Sequence, residues 1–261
     1  MIRVAIDAMG GDHAPLAEID GALQALAAWP GEFVVQLIGR PEVLGPALAE
    51  RGASAHPQIA IVAAEEVIGM SEKPLAAVRR KPNSSLVVGL GRLRAGEADV
   101  LLSAGNTGAT LAGATLLLGL HEGVQRATVA TLLPTAGQPV LILDAGANVD
   151  CSPRELVGFA YLGQVYMRDM QGRANPTVGL LNVGEEEEKG NAAAREAFQL
   201  LKAAPDLNFI GNVEGRDVVA GHPQHGHVDV IVTDGFTGNV LLKFYESMKT
   251  VLVDLLKATA P

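Results

Sequence analysis

Six short polar, glycine-bearing stretches hold most of the side chains able to do chemistry: Asp7-Ala-Met-Gly-Gly-Asp12, Ser103-Ala-Gly-Asn-Thr-Gly108, Asp144-Ala-Gly-Ala-Asn148, Asn182-Val-Gly-Glu185, Gly211-Asn-Val-Glu214 and Asp234-Gly-Phe-Thr-Gly-Asn239. Each comes directly after a short Val/Ile/Leu run, and several open onto a helical pattern. A loop of that kind aims free backbone N–H groups and the positive end of a helix dipole at an anion. In residues 103–109 the glycines Gly105 and Gly108 permit close backbone approach, while Ser103, Asn106 and Thr107 add side-chain donors. No Gly-Lys-Ser/Thr follows, so this is not a Walker sequence. The plainer reading is a capped helix start with turn glycines.

Other residues carry competing readings. Lys189 follows four glutamates, residues 185–188, directly after a strand end at Asn182. It suits the charge of a phosphate or oxyanion, with Glu185 to orient it, whereas a charge run is ordinarily a solvated helix face. Asp12 and His13 are candidates for proton transfer; the alternatives are a helix N-cap for Asp12 and a surface loop for His13. Asp7, Gly10, Gly11, Asp144, Asn148, Asn182, Asn212, Asp234, Gly235 and Asn239 are candidates to shape a phosphate and substrate cleft, against ordinary Asx turns. Carboxylates beside a phosphate would accept Mg²⁺, but no spacing demands a metal. Cys151 has no histidine near it in sequence and reads as a small buried hydrophobe rather than a nucleophile. His222, His225 and His227, with Pro223 and Gly226, read as a surface insertion at 223–227 rather than a metal site.

The elements that must position these loops alternate along the chain. Strands are expected at 2–6, 33–38, 59–63, 99–103, 127–132, 139–143, 177–181, 208–210 and 229–233. Helices are expected at 15–28, 41–50, 84–94, 107–118, 153–170, 188–202 and 238–257. Continuous rather than alternating apolar strands indicate a sheet covered on both faces. The expected fold is α/β, three layers with a mostly parallel sheet and right-handed crossovers, in one unit over 1–261. Of 261 residues 48% are hydrophobic and 4% aromatic, enough for such a core. A net charge of −9 argues against nucleic acid as a general partner. The single cysteine excludes an internal disulfide and accords with a reducing compartment. The first residues read as a strand and turn, not a signal peptide. The longest apolar run, 111–120, is too short to cross a bilayer.

Seven segments in register resemble the bacterial phosphate acyltransferase (PlsX) family: IDAMGGDHAP at 6–15, RRKPNSS at 79–85, SAGNTGA at 103–109, LDAGANVD at 143–150, LLNVGEEEEKGN at 180–191, GNVEGRD at 211–217 and VTDGFTGNVLLK at 232–243. The resemblance implies a fold like the isocitrate and isopropylmalate dehydrogenases and the phosphotransacetylases. It implies transfer of a fatty acyl group from acyl carrier protein to phosphate for phospholipid synthesis. A cytoplasmic homodimer is implied, in loose contact with the membrane and with the glycerol-3-phosphate acyltransferase that follows. No cofactor is required.

The basic cluster Arg79, Arg80 and Lys81 is the expected dock for the acidic carrier protein. Apolar residues 244, 248, 251, 252, 255 and 256 in the helix from 238 suit core, dimer interface or membrane contact. Family members continue past this helix, and the expectation is that this chain lacks that C-terminal segment. Alternative functions are a coenzyme A-dependent phosphotransacetylase and a non-catalytic scaffold binding carrier protein and membrane. A dehydrogenase of the related fold would require a G-x-G-x-x-G fingerprint, which is not apparent.

Overall fold

The computed structural model describes residues 1–135, 137–220 and 226–259. The chain divides into two compact units, Met1–His121 and Glu122–Pro261.

The first unit runs β1 (Ile2–Asp7), α1 (Leu16–Ala28), β2 (Phe33–Gly39), α2 (Pro41–Glu50), β3 (Ile59–Ala63), α3 (Pro74–Arg80), α4 (Ser85–Arg94), β4 (Val100–Ser103) and α5 (Thr107–Leu117). Its four strands are all parallel, in the order β3-β2-β1-β4. Strand side chains alternate between two apolar layers. Ile6, Val35 and Leu37 pack with Ile19, Leu26, Leu44 and Leu48 of α1 and α2. Ala5 and Ile38 face the opposite layer, with Val88 and Leu93 of α4 against them. Because β2 and β3 lie on one side of β1 and β4 on the other, the strand order reverses between β1 and β4. A crevice forms outside the carboxyl ends at such a reversal.

The second unit runs β5 (Ala130–Leu133), β6 (Val140–Leu143), α6 (Pro153–Gln171), β7 (Thr177–Leu181), α7 (Ala192–Lys202), β8 (Asn208–Val213), α8 (Gly215–Ala220), β9 (Val230–Val232) and α9 (Gly235–Thr259). The order is β5-β6-β9-β7-β8, with only the β5–β6 pair antiparallel. Here too the alternation is between two buried faces. Leu141, Leu143, Val230 and Val232 pack on Phe159, Met167, Phe198 and Leu201 of α6 and α7. Val140, Ile142 and Ile231 face the other way, toward Leu241, Leu242 and Tyr245 of α9.

All nine expected strands form, and the differences lie in the helices. The helix expected from 188 begins at Ala192, because the Asn191 side chain accepts the Ala194 N–H at 2.8 Å and caps it there. The acidic run 185–188 is therefore loop rather than helix face. Two short helices, α3 and α8, were not expected, and α9 begins at 235 instead of 238. Residues 223–225 of the expected insertion, including His225, and His222 before it lie outside the described residues.

The start of α9 is wedged against the loop after β6. The Gly235 N–H donates to the Asn148 carbonyl at 2.7 Å. A Cβ at Gly235 would stand 2.5 Å from that oxygen, and one at Gly238 would overlap the Asp144 carbonyl. Real side chains do not tolerate such an approach to backbone. Gly238→Ala is therefore expected to lower stability by about 3 kcal/mol, measured by urea unfolding, whereas an alanine at open Gly158 should be neutral or stabilising.

Candidate functional site

In the first unit, the loops after β1 and β4 meet at the strand-order reversal. The buried Asp7 carboxylate accepts from Ser103 Oγ at 2.7 Å and from the Met9 N–H at 3.4 Å. Ser103 Oγ in turn accepts from the Gly105 N–H at 3.2 Å. A Cβ on Gly10 would sit 3.1 Å from the Gly105 Cα and collide with Asp7, so glycine is required where the two backbones touch. Gly11 follows with φ +126°, a conformation side chains rarely adopt. Thr107 and Gly108 occupy the first turn of α5, where N–H groups have no intrahelical acceptor.

Three expectations for this unit change. Asn106 was a candidate catalytic donor, but it is buried and its side chain is already engaged. Its Oδ1 caps α5 by accepting the Ala109 N–H at 3.0 Å, and its Nδ2 donates to the carbonyls of Gly69, Met70 and Glu72 at 3.1–3.3 Å. Asp12 does not cap α1, whose cap position is Pro15 without a side-chain bond; Asp12 and His13 are exposed on the preceding turn. Of the basic cluster, Arg79 and Arg80 are exposed, but Lys81 is turned inward, donating to the Val67 carbonyl and pairing with Glu72.

In the second unit, Asp144 is fully buried. Its Oδ1 accepts from the N–H groups of Val129, Gly146 and Ala147 at 3.3, 3.0 and 2.9 Å. Its Oδ2 accepts from the Asn148 N–H at 2.8 Å and from Asn148 Nδ2 at 2.6 Å. Asn148 Nδ2 also reaches the Ala127 carbonyl at 2.8 Å. These two residues, expected to hold substrate, hold their own loop instead: a carboxylate taken out of water needs that many donors. Asp234 caps α9, accepting from the Thr237 N–H at 2.8 Å and Thr237 Oγ1 at 3.0 Å. Asn239 is exposed one turn further on, its side chain against Gly146.

A cleft of about 310 Å³ opens beyond the carboxyl ends of β7 and β9. Among the expected residues Asn182 and Asp234 line it; Asp150, Cys151, Asn191, Thr233 and Thr237 join them. Asn191 and Thr237 stood in the quoted motifs; the readable signals were the cap position of Asn191 and the place of Thr237 three residues after Asp234. Lys189 is not among the lining residues, although its neighbours Gly190 and Asn191 are. Lys189 is half exposed, with Nζ 4.0 Å from Glu186 rather than paired with Glu185, which faces Arg216 at 3.5 Å. Two asparagines pin its loop: Asn182 Nδ2 donates to the Lys189 carbonyl at 3.1 Å, and buried Asn212 donates to the Glu186 carbonyl at 2.8 Å. Among the described residues no three His, Cys, Asp or Glu side chains are grouped to hold a metal ion. No helix there is long and apolar enough to cross a membrane.

The comparisons with known proteins agree along the whole chain. A family described as "Fatty acid synthesis protein" matches residues 2–261. The chain belongs to this family. A phosphate acyltransferase from Nostoc punctiforme is 48% identical over 262 residues, covering 100% of this chain and 74% of that protein. One from Heliobacterium modesticaldum is 47% identical over 256 residues, covering 98% and 74%. Among solved structures, the EutD phosphotransacetylase from Staphylococcus aureus superposes with a TM-score of 0.67 at 16% identity, covering 95% of this chain and 82% of that one. A branched-chain phosphotransacylase from Enterococcus faecalis V583 gives 0.53 at 15%, covering 93% and 83%. At those identities the structures establish the α/β fold alone.

Cys151 lines the cleft with its thiol pushed up to about 11, chiefly by burial. The thiol is therefore neutral at pH 7 and is not an activated nucleophile. Cys151→Ser should leave turnover within about twofold, and iodoacetamide should label the native chain slowly at pH 7 and faster as the pH approaches 11. Rapid labelling at pH 7, read by intact mass, would contradict this.

Proposed function

We propose that the chain transfers a fatty acyl group from acyl carrier protein to inorganic phosphate, yielding an acyl phosphate for phospholipid synthesis. The observation that carries this reading is the 48% identity, over the entire chain, with a protein named phosphate acyltransferase. A phosphate oxygen attacks the thioester carbonyl, the tetrahedral oxyanion collapses, the C–S bond breaks, and the carrier's thiolate leaves and takes a proton from solvent. Phosphate is already a nucleophile at neutral pH, so the protein's task is positioning and charge stabilisation. That agrees with an unactivated Cys151 in the cleft.

In the second unit, Lys189 supplies positive charge for the phosphate or oxyanion, from a loop that Asn182 and Asn212 hold in place. Asn191 and Thr237, both at helix starts, line the cleft wall and turn the N-terminal ends of α7 and α9 toward it. In the first unit, the opening turn of α5 at Thr107 and Gly108 offers N–H donors as an anion seat, held in place by the Asp7–Ser103–Gly105 hydrogen bonds. No cofactor enters this scheme. We also read the protein as a cytoplasmic homodimer that touches the membrane surface through exposed Phe244, Leu252, Leu255 and Leu256 of α9, passing its product to a membrane glycerol-3-phosphate acyltransferase. Co-flotation with anionic liposomes checks the membrane contact; a chain left at the bottom of the gradient argues against it.

Palmitoyl acyl carrier protein and phosphate should give acyl phosphate, with palmitoyl coenzyme A a poorer donor. Lack of product from the carrier-linked donor overturns the reading, and preference for coenzyme A reassigns the donor. Lys189→Ala should lower kcat/KM for phosphate at least tenfold, about 1.4 kcal/mol of transition-state stabilisation. An unchanged value would remove Lys189 from the chemistry.

A further inference from the structure

We infer that the exposed side of α3 and the turn before it form the docking surface for an acidic protein, the carrier of the acyl group; this rests on the reaction proposed above. Lys73, Arg79 and Arg80 are all exposed in a segment where, among the described residues, the one ion pair joins Lys81 to Glu72. Glu72, the one acid within residues 69–81, is thus already paired, and three cations stand out on a chain of net charge −9. A local positive patch on an acidic protein attracts an acidic partner to one place and repels it elsewhere. Two large apolar side chains sit within the patch, Met70 at 59% and Leu75 at 46% exposure. Leu75 and Arg79 are four residues apart on the helix and share one face. Apolar anchors ringed by arginine are the composition of protein interfaces.

The patch is also continuous with the anion seat of the same unit. Asn106 Nδ2 binds the carbonyls of Gly69, Met70 and Glu72 while its Oδ1 caps α5. The Pro74 ring closes on Gly108, where a Cβ would fall 2.7 Å away. A carrier held on α3 would therefore bring its thioester-bearing arm to the loop that begins at Ser103.

The test is calorimetric titration of palmitoyl acyl carrier protein into the chain and into two variants, Arg79→Glu/Arg80→Glu and Leu75→Ser, at low and high salt. Circular dichroism would verify that the variants fold. The expected results are a Kd at least tenfold weaker for the double charge reversal, at least threefold weaker for Leu75→Ser, and a wild-type Kd that weakens with salt. A wild-type chain that does not bind the carrier, an unchanged Kd in either folded variant, or a salt-independent Kd would overturn the assignment. Binding is read without turnover. Failure of the wild-type chain to form acyl phosphate would sink the proposed reaction, while the Kd values would still decide the surface.

Discussion

The buried carboxylate of Asp144 is the constraint on which the second unit's cleft depends. A charge removed from water must be met by donors, and five converge on it from residues 129 and 146–148. Meeting that demand curls the loop after β6 tightly around one side chain. The curl leaves the Asn148 carbonyl to accept from Gly235, so the start of α9 is fixed by the same residues. Asp234 then caps the helix and, with Thr237, forms one wall of the cleft. Electrostatic satisfaction, backbone approach and cleft shape are consequences of a single buried group.

The first unit reaches a similar end by different means. Asp7 is also buried, but its chief partner is the hydroxyl of Ser103 on the neighbouring strand. The two loops touch backbone to backbone at Gly10 and Gly105. Here the strand order creates the crevice and glycine lets it close. Asn106 adds the third connection, joining the helix start to the segment before α3. In both units short polar side chains close loops.

This division explains what could be read in the sequence. The nine strands were legible because each is a short Val/Ile/Leu run between turn residues, and their parallel arrangement followed from the long helical stretches between them. The loops at 103–108, 182–185 and 234–239 were legible as turns beyond strand ends because glycine and Asx residues cluster there. The role of each polar residue was not. Asp144, Asn148 and Asn106 have the residue types of ligand-binding groups, and only their hydrogen-bond partners reveal that they are spent on the fold. Glu185 was read as orienting Lys189, whereas it meets Arg216, a residue 31 positions away. The helix start at 192 was obscured by four glutamates with strong helix propensity, and it is decided by the Asn191 cap and by Gly190 at φ +90°. Helix α3, seven residues long, has too few turns to show a period.

The half-buried thiol of the cleft wall has a practical side. Cys151 is the only cysteine in the chain and is held neutral at physiological pH. A second cysteine placed at an exposed position would ionise far more readily. The native background is thus slow to react at pH 7, and brief labelling at that pH favours a probe attached at a chosen surface site over the native thiol.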